Sequence, residues 1–364
     1  MRNHLSSSAV RQRLQNAHDR LLRPHTLSKA GKTPYKVIFH DGLISVRHYA
    51  AVTNANAAPV APLVLVAPLA VNMLIYDLFP ERSFLRFLTG AGRSVYLIDW
   101  GNPERRHNHY SLATYVLEFL PMCLAAIRRH SQHKRLDLHG WSMGGHLLLC
   151  YAGLGHDQDI GHLVVAGTSI DSHRSGVLGR FAQQLNHKLA LLEQYFPFVR
   201  QDLPIRWFYS PGWLNSLNFK LTSPKASVQS YIELIQRLDD RNYVIDHATT
   251  SAFLDHMVAY PGALARDMFL DSWLSNRFAE GTLRLASEEV RFDRIQQPTL
   301  VIAGMNDTLA TPEAVSALMP LLTHCKQKML LKIPGGHMGI VSGREAPTTA
   351  WPAIHAWLQE TPLN

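Results

Sequence analysis

The sequence has few cysteines, no long apolar run and no clustered metal-binding residues. Among 364 residues, only Cys123, Cys150 and Cys325 are cysteines, and their lack of paired spacing predicts free buried thiols in a reducing, cytoplasmic compartment. No stretch approaches about 18 consecutive apolar residues, and the N-terminus lacks an apolar signal segment, so we expect neither a transmembrane span nor secretion. The 20 histidines include no HExxH motif and no His/Cys cluster. We therefore expect no metal site and no cofactor.

Positive charge is concentrated at the N-terminus. The chain carries a net charge of +8, and most of this surplus lies before Tyr35. Asp19 is the only acidic residue in that segment, whereas the basic residues are Arg2, Arg11, Arg13, Arg20, Arg23, Lys29 and Lys32. Loose helical spacing of apolar residues predicts a basic helical arm over residues 1–34. This arm is either a binding element for an anionic surface or a solvated, frayed helix, and the second is the more common case. Because the rest of the chain is nearly neutral and carries no recognition motif, we expect no nucleic-acid partner.

Strand and helix patterns alternate along most of the chain. Residues 35–49 read as a hairpin turning at Asp41-Gly42, and apolar strand patterns then recur at 63–66, 94–100, 135–139, 163–167, 298–304 and 329–333. Helical patterns lie between them, one with a kink expected at Pro121. This alternation predicts an α/β fold with a mainly parallel, doubly wound sheet.

Residues 172–295 interrupt this alternation and are mostly helical in pattern. We predict a cap inserted between two parts of the core, residues 35–171 and 296–364. Its aromatic residues either line an acyl-chain site or form the core of the cap, and the second is expected more often for any single residue. They include Tyr195, Phe196, Phe198, Trp207, Phe208, Tyr209 and Trp213.

The most informative motif is Gly140-Trp141-Ser142-Met143-Gly144, which lies between a strand pattern and a helix pattern. It fits G-x-S-x-G, the nucleophile elbow of α/β-hydrolases. The tight turn holds the serine in a strained backbone region, where neighbouring residues must be small. The alternative interpretation of this motif is a strand-to-helix turn with no catalytic role, but the strand and helix patterns on either side favour the nucleophile elbow.

A serine nucleophile needs a base, and the base needs a carboxylate to fix its tautomer. In α/β-hydrolases these residues follow the chain order Ser, Asp or Glu, His, and Ser142, Asp307 and His337 obey it. Taken alone, Asp307 is also a candidate helix cap and His337 an ordinary loop histidine. Asp171 and, more remotely, Asp99 are alternative acids.

The oxyanion hole is predicted to use two backbone N–H groups. One belongs to Met143, directly after the nucleophile, and the other to Leu69, in the loop after the 63–66 strand, with Ala70 as the next candidate. The whole constellation predicts an α/β-hydrolase-fold serine acyl-hydrolase or acyltransferase.

Several informative segments lie outside this generic signature, namely 72–78, 80–83, 95–103, 269–277 and 336–341. They resemble polyhydroxyalkanoate synthases, and the chain length and short N-terminal arm are most similar to the class III catalytic subunit. The resemblance covers roughly residues 33–345. It implies an α/β-hydrolase fold, a catalytic triad and an acyl ester or acyl-CoA substrate. It also implies two candidate partners, a polyester granule surface and a partner subunit.

The nucleophile departs from that resemblance, which implies cysteine where this chain has Ser142. In addition, Thr308 follows Asp307 where many relatives have histidine. Serine with a histidine base suits hydrolysis of an ester or thioester of a hydroxyacyl group, and this is our main expectation. The alternatives are polymerisation of 3-hydroxyacyl-CoA with Ser142 as the chain carrier, and a non-catalytic granule- or partner-binding protein.

Overall fold

The fold is built on one eight-stranded sheet. The computed structural model describes residues 7–52, 60–195, 203–221 and 224–360. Its strands are β1 (Lys36–Asp41), β2 (Ile44–Tyr49), β3 (Leu63–Val66), β4 (Asp77–Phe79), β5 (Arg82–Ser83), β6 (Val95–Asp99), β7 (Leu136–Trp141), β8 (Ile160–Ala166), β9 (Thr282–Leu285), β10 (Glu288–Arg291), β11 (Thr299–Gly304) and β12 (Lys328–Ile333).

The large sheet has the order β1-β2-β6-β3-β7-β8-β11-β12, and β4-β5 and β9-β10 form two small hairpins. In this sheet β2 pairs antiparallel with both β1 and β6, and all other pairings are parallel. Every residue of β3, β7, β8 and β11 is buried, because helices cover both faces of the sheet. The predicted α/β class with a mainly parallel sheet is confirmed.

Fifteen α-helices lie among the described residues. They are α1 (Ser7–Leu22), α2 (Pro24–Leu27), α3 (Phe84–Gly90), α4 (Leu120–Ser131), α5 (Met143–Leu154), α6 (Gly176–Glu193), α7 (Gly212–Leu221), α8 (Pro224–Gln236), α9 (Arg241–Leu254), α10 (Gly262–Asp267), α11 (Arg277–Glu280), α12 (Pro312–Ser316), α13 (Leu318–Leu321), α14 (Gly339–Ser342) and α15 (Ala350–Glu360). None of the helices in these described stretches is long and apolar enough to cross a bilayer. The three cysteines are free and buried, as predicted.

The irregularity expected at Pro121 lies just upstream of that residue. A π-helical segment, Thr114–Phe119, leads directly into α4. Pro121 has no N–H, and its ring crowds the carbonyl of residue 117, so the preceding turn widens. The helix therefore continues past the proline.

Helices α6–α11 and the β9-β10 hairpin lie between β8 and β11 in the chain, where the cap is predicted; the exact boundaries at 172 and 295 stay a prediction. Three aromatic side chains of the predicted cap are largely exposed: Tyr195 (79%), Trp207 (66%) and Trp213 (69%). The interpretation of these three as cap core is therefore wrong. Phe208 instead packs against Phe269. Tyr209 donates a hydrogen bond to the Pro103 carbonyl. Phe196 and Phe198 lie outside the described residues.

The N-terminal helix α1 is held against the helices that follow β8. Arg13 donates to the Ile235 carbonyl at 2.7 Å, and Asn16 donates to the Leu238 carbonyl at 2.7 Å. Arg241 pairs with Asp19 at 2.7 Å. Helix α1 is therefore docked against these helices and is not the solvated, frayed helix considered above.

Candidate active site

Ser142 occupies a strained turn between β7 and α5. Its backbone has φ 55° and ψ −123°, a conformation that residues with a side chain rarely adopt. The turn is fixed because the Ser142 N–H donates to the Ala166 carbonyl at 2.8 Å, and the Thr168 hydroxyl donates to the Ser142 carbonyl at 2.9 Å. Both partners belong to β8 or the loop after it. The neighbouring strand therefore holds the serine at the carboxyl end of the sheet.

The glycines of the elbow are required by close packing. A Cβ atom on Gly144 would lie 2.0 Å from the carbonyl oxygen of Val66, and one on Gly145 would lie 2.0 Å from Oγ1 of Thr168. A Cβ atom on Gly140 would lie 2.5 Å from the carbonyl oxygen of Gly144. Only glycine lets α5 begin this close to the ends of β3 and β8.

The structure brings Ser142, His337 and Asp307 into one hydrogen-bonded chain. The Oγ atom of Ser142 lies 2.9 Å from Nε2 of His337, and Nδ1 of His337 lies 2.8 Å from Oδ2 of Asp307. The Asp307 side chain is fully buried, whereas that of His337 is 12% exposed. An aspartate on Nδ1 favours the tautomer that leaves Nε2 free to accept the serine proton.

Two loops position the histidine and the aspartate. Asp307 follows β11, and its Oδ1 accepts hydrogen bonds from the backbone N–H groups of Leu309 and Ala310 at 2.9 and 2.8 Å. His337 follows β12, and its carbonyl accepts a hydrogen bond from the Trp141 indole at 3.1 Å. The indole thereby ties the histidine loop to the elbow, a contact that the sequence motif does not reveal.

The alternative acids lie elsewhere. Asp171 accepts a hydrogen bond from the Asn276 amide at 2.8 Å and pairs with Arg174 at 2.9 Å. Asp99, the last residue of β6, pairs with Arg47 of β2, and β6 lies two strands away from β7 in the sheet. Of the three carboxylates considered, Asp307 is the one bonded to His337.

Two backbone regions hold the candidate oxyanion residues. Met143 is the first residue of α5, and Leu69 is buried in the loop after β3. Ala70, directly after Leu69, has a left-handed backbone with φ 63°, a strained conformation of the kind that accumulates at functional sites. Asn72 anchors the loop by donating to the carbonyls of Phe253 and His256, both at 2.9 Å. The assignment of the oxyanion hole to Met143 and Leu69 stays a prediction.

Tyr260 is a neighbour of the site that no sequence motif indicates. Its hydroxyl donates to Sδ of Met143 at 2.7 Å. Burial raises the pKa of the phenol, so this group stays neutral and acts as a donor. Tyr260 precedes α10, far from the elbow in sequence, and only the tertiary fold brings the two together.

A cavity of about 230 Å³ opens beside the histidine. Its lining residues come from α7 and from the loops after β11 and β12: Phe219, Asn306, Thr308, Leu309, Gly336, His337, Met338 and Gly339. Within the described parts of the chain, no group of three or more His, Cys, Asp or Glu side chains could hold a metal ion. The hydrogen-bonded arrangement of Ser142, His337 and Asp307 is of a kind suited to proton transfer and nucleophilic attack.

A family model for the alpha/beta hydrolase fold matches residues 74–343. The chain belongs to the alpha/beta hydrolase family. Among curated relatives, this alpha/beta hydrolase is 27% identical over 343 residues to the poly(3-hydroxyalkanoate) polymerase subunit PhaC of Haloferax mediterranei, an alignment that covers 93% of this chain and 66% of the relative. It is also 27% identical over 332 residues to the PhaC subunit of Allochromatium vinosum, covering 91% of this chain and 89% of that subunit. The resemblance to polyhydroxyalkanoate synthases is thereby confirmed.

Solved structures support the same fold. The monoacylglycerol lipase of Paleococcus ferrophilus superposes with a TM-score of 0.50 at 21% identity, covering 83% of this chain and 96% of the lipase. At this identity the likeness establishes the fold alone. The fold, the family and the polymerase relatives together make this chain an enzyme of the alpha/beta hydrolase type.

Proposed function

We propose that this chain is an acyltransferase that moves a hydroxyacyl group from a coenzyme A thioester to Ser142, and then to the hydroxyl group of a second hydroxyacyl molecule. The observation that carries the proposal is the similarity to polymerase subunits over more than nine-tenths of the chain. The comparisons thus favour the polymerising alternative of the sequence analysis over simple hydrolysis. The hydrogen-bonded chain from Ser142 through His337 to Asp307 supports an acyl-enzyme mechanism.

In the first half-reaction, Nε2 of His337 accepts the Ser142 proton as Oγ attacks the thioester carbonyl carbon. Asp307 stabilises the imidazolium that forms. The carbonyl oxygen becomes an oxyanion, and the N–H groups of Met143 and Leu69 are our candidates for its donors. Collapse of this intermediate breaks the C–S bond, and His337 returns the proton to the departing sulfur.

In the second half-reaction, His337 accepts a proton from the hydroxyl group of the incoming hydroxyacyl molecule. The resulting oxygen nucleophile attacks the ester carbonyl on Ser142, and the serine leaves with the proton returned by His337. Each cycle forms one new ester bond and releases one CoA. If the product occupies the serine again, the chain grows by one unit.

A second candidate is hydrolysis, and the serine nucleophile is the observation that favours it. In that reaction water replaces the hydroxyl acceptor, and free hydroxy acid leaves the enzyme. An intact hydrogen-bonded triad weighs against the third possibility raised by the sequence, a non-catalytic granule- or partner-binding protein. A polyester granule and a partner subunit remain candidate partners of the enzyme.

The deciding experiment incubates the purified protein with 3-hydroxybutyryl-CoA and 3-hydroxydecanoyl-CoA, follows CoA release and determines product masses. Oligomers longer than one unit are expected, and free hydroxy acid alone would favour hydrolysis. Ser142→Ala should abolish CoA release while leaving the circular dichroism spectrum unchanged. Full activity in that variant would refute the role of Ser142.

A further inference from the structure

A second cavity, which we name the arginine pocket, adjoins the one beside His337. Its volume is about 410 Å³, and it lies between α7, α8, α9 and the β4-β5 hairpin. Its lining residues include Arg82, Lys220, Tyr231, Asp246, Met338 and Arg344. Phe219 and Met338 line both cavities, so these two side chains form the shared wall. Met338 directly follows the candidate catalytic histidine.

Two guanidinium groups dominate the charge of the arginine pocket. Arg82 is half-buried, lies over the Phe79 ring at 4.3 Å and makes one long hydrogen bond, of 3.4 Å, to the Ser342 carbonyl. Arg344 has an exposed side chain. Within the described residues, neither guanidinium has a carboxylate partner, so both retain free N–H donors.

The other charged groups that line the pocket offset the charge of this pair only in part. Lys220 is already paired with Asp255 at 2.5 Å, and Asp246 is the one carboxylate among the lining residues. Partial burial lowers the pKa of Arg82, whereas the carboxylates of Glu81 and Asp246 raise it. The positive charge of Arg344 acts in the same direction as burial, so an anion bound beside the two guanidinium groups would stabilise both.

The chemistry of the lining identifies the class of anion. Guanidinium groups bind phosphate oxygens through paired N–H donors, and aromatic faces such as those of Phe219 and Tyr231 stack on planar rings. An acyl chain suits the apolar part of this lining but offers no acceptor to the half-buried guanidinium group of Arg82. Phosphates beside aromatic rings are the features of a nucleoside diphosphate.

We propose that the arginine pocket binds the phosphorylated nucleotide end of a coenzyme A thioester, with Arg82 and Arg344 on its phosphates. The identity of the thioester rests on the function proposed above, whereas the phosphate chemistry rests on the pocket itself. The shared Phe219–Met338 wall places this pocket next to the cavity that His337 lines.

The test measures binding of free CoA and of pantetheine, which lacks the phosphates and the nucleotide, by isothermal titration calorimetry. The variants are Arg82→Gln and Arg344→Gln, and the matched control is Arg129→Gln, an exposed arginine on α4 outside the pocket. We expect each pocket variant to weaken CoA binding about tenfold or more, because a charge-assisted phosphate contact is lost. Arg129→Gln should leave CoA binding unchanged, and pantetheine should bind equally to all four proteins.

Arg344→Gln keeps the test decisive even if Arg82→Gln folds poorly, since the Arg344 side chain is exposed. Equal CoA affinity in Arg344→Gln and wild type, or no CoA binding to the wild type, would overturn the proposal. If CoA binds through the arginines but hydroxyacyl-CoA is not turned over, the pocket stands and the proposed function fails. If hydroxyacyl-CoA is turned over while Arg344→Gln binds CoA normally, the function stands and the pocket assignment fails.

Discussion

The substitution Asp307→Asn tests the proposed triad most directly, because the structure fixes how asparagine must sit. Oδ1 of Asp307 accepts N–H groups from Leu309 and Ala310, and an asparagine retains both bonds only by keeping its oxygen there. Its NH₂ group then faces Nδ1 of His337. Turning the amide over would leave two backbone donors facing another donor, a loss of about 1–3 kcal/mol for each unsatisfied buried group.

An NH₂ group on Nδ1 reverses the tautomer of His337. Nδ1 must then accept a hydrogen bond, so the proton moves to Nε2, which can no longer take the proton of Ser142. The buried negative charge that stabilises the imidazolium is lost as well. We expect kcat to fall about 10⁴-fold, equivalent to about 5 kcal/mol of barrier, with KM changing little. Initial rates of CoA release from 3-hydroxybutyryl-CoA measure this effect.

The matched control is Asp171→Asn, a second carboxylate that follows a sheet strand. Asp171 bonds to Asn276 and Arg174 instead of His337, so its substitution should leave kcat within a few-fold of the wild type. A loss of less than tenfold in Asp307→Asn, or equal losses in the two variants, would refute the assignment of Asp307 as the acid.

Two further predictions concern stability. Gly144→Ala places a Cβ atom 2.0 Å from the Val66 carbonyl oxygen, so we expect little folded protein. In the control Gly90→Ala, the new Cβ atom meets no atom within 4 Å, and the free energy of unfolding should change by less than about 1 kcal/mol. Equal thermal stability of the two variants would contradict this packing. Burial lowers the pKa of His139 and of His146 to about 4. The unfolded chain therefore binds more protons between pH 6.5 and 4, and the free energy of unfolding should fall as pH falls through that range, by at most about 1.4 kcal/mol per pH unit for each histidine. Urea unfolding at a series of pH values measures this slope, and a flat curve would argue against neutral buried histidines.

Local patterns predicted the parts of the fold that local chemistry specifies. The uninterrupted apolar run of residues 63–66 has the same limits as β3. A strand that is buried on both faces is apolar at every position, so its limits are visible in the sequence. The hairpin also lies where predicted, but its two turn residues are Gly42 and Leu43, because Asp41 still pairs with Ile44. Gly42 has a positive φ of 56°, as a two-residue hairpin turn that begins with glycine requires. The carboxyl ends of β7, β11 and β12 were sufficient to indicate which serine, aspartate and histidine come together.

Long-range partners account for what the sequence did not indicate. The strand predicted at 163–167 begins at Ile160 instead, because the polar His162 finds a buried acceptor in Asp137 of β7, with Nδ1 and Oδ1 2.7 Å apart. The Tyr260–Met143 contact has the same origin. A sequence pattern shows how polar a residue is, but it does not show whether a residue distant in the chain will form the hydrogen bond that a buried polar side chain needs.

In the proposed cycle, an oxygen atom and not a sulfur atom carries the acyl group. The resemblance to synthases implies a thiol carrier, yet none of the cysteines of this chain is placed to replace Ser142, since Cys123, Cys150 and Cys325 are all buried. Burial also raises the pKa of the Cys123 thiol to about 12, which suppresses the thiolate that a nucleophile requires. In each proposed cycle, acylation of Ser142 converts a thioester into an oxygen ester, so this half-reaction is the favourable one. The second half-reaction exchanges one oxygen ester for another, and chain growth then depends on how well the site admits a hydroxyl acceptor in preference to water. Exclusion of water around His337, more than the strength of the nucleophile, is what should decide between polymer and free acid.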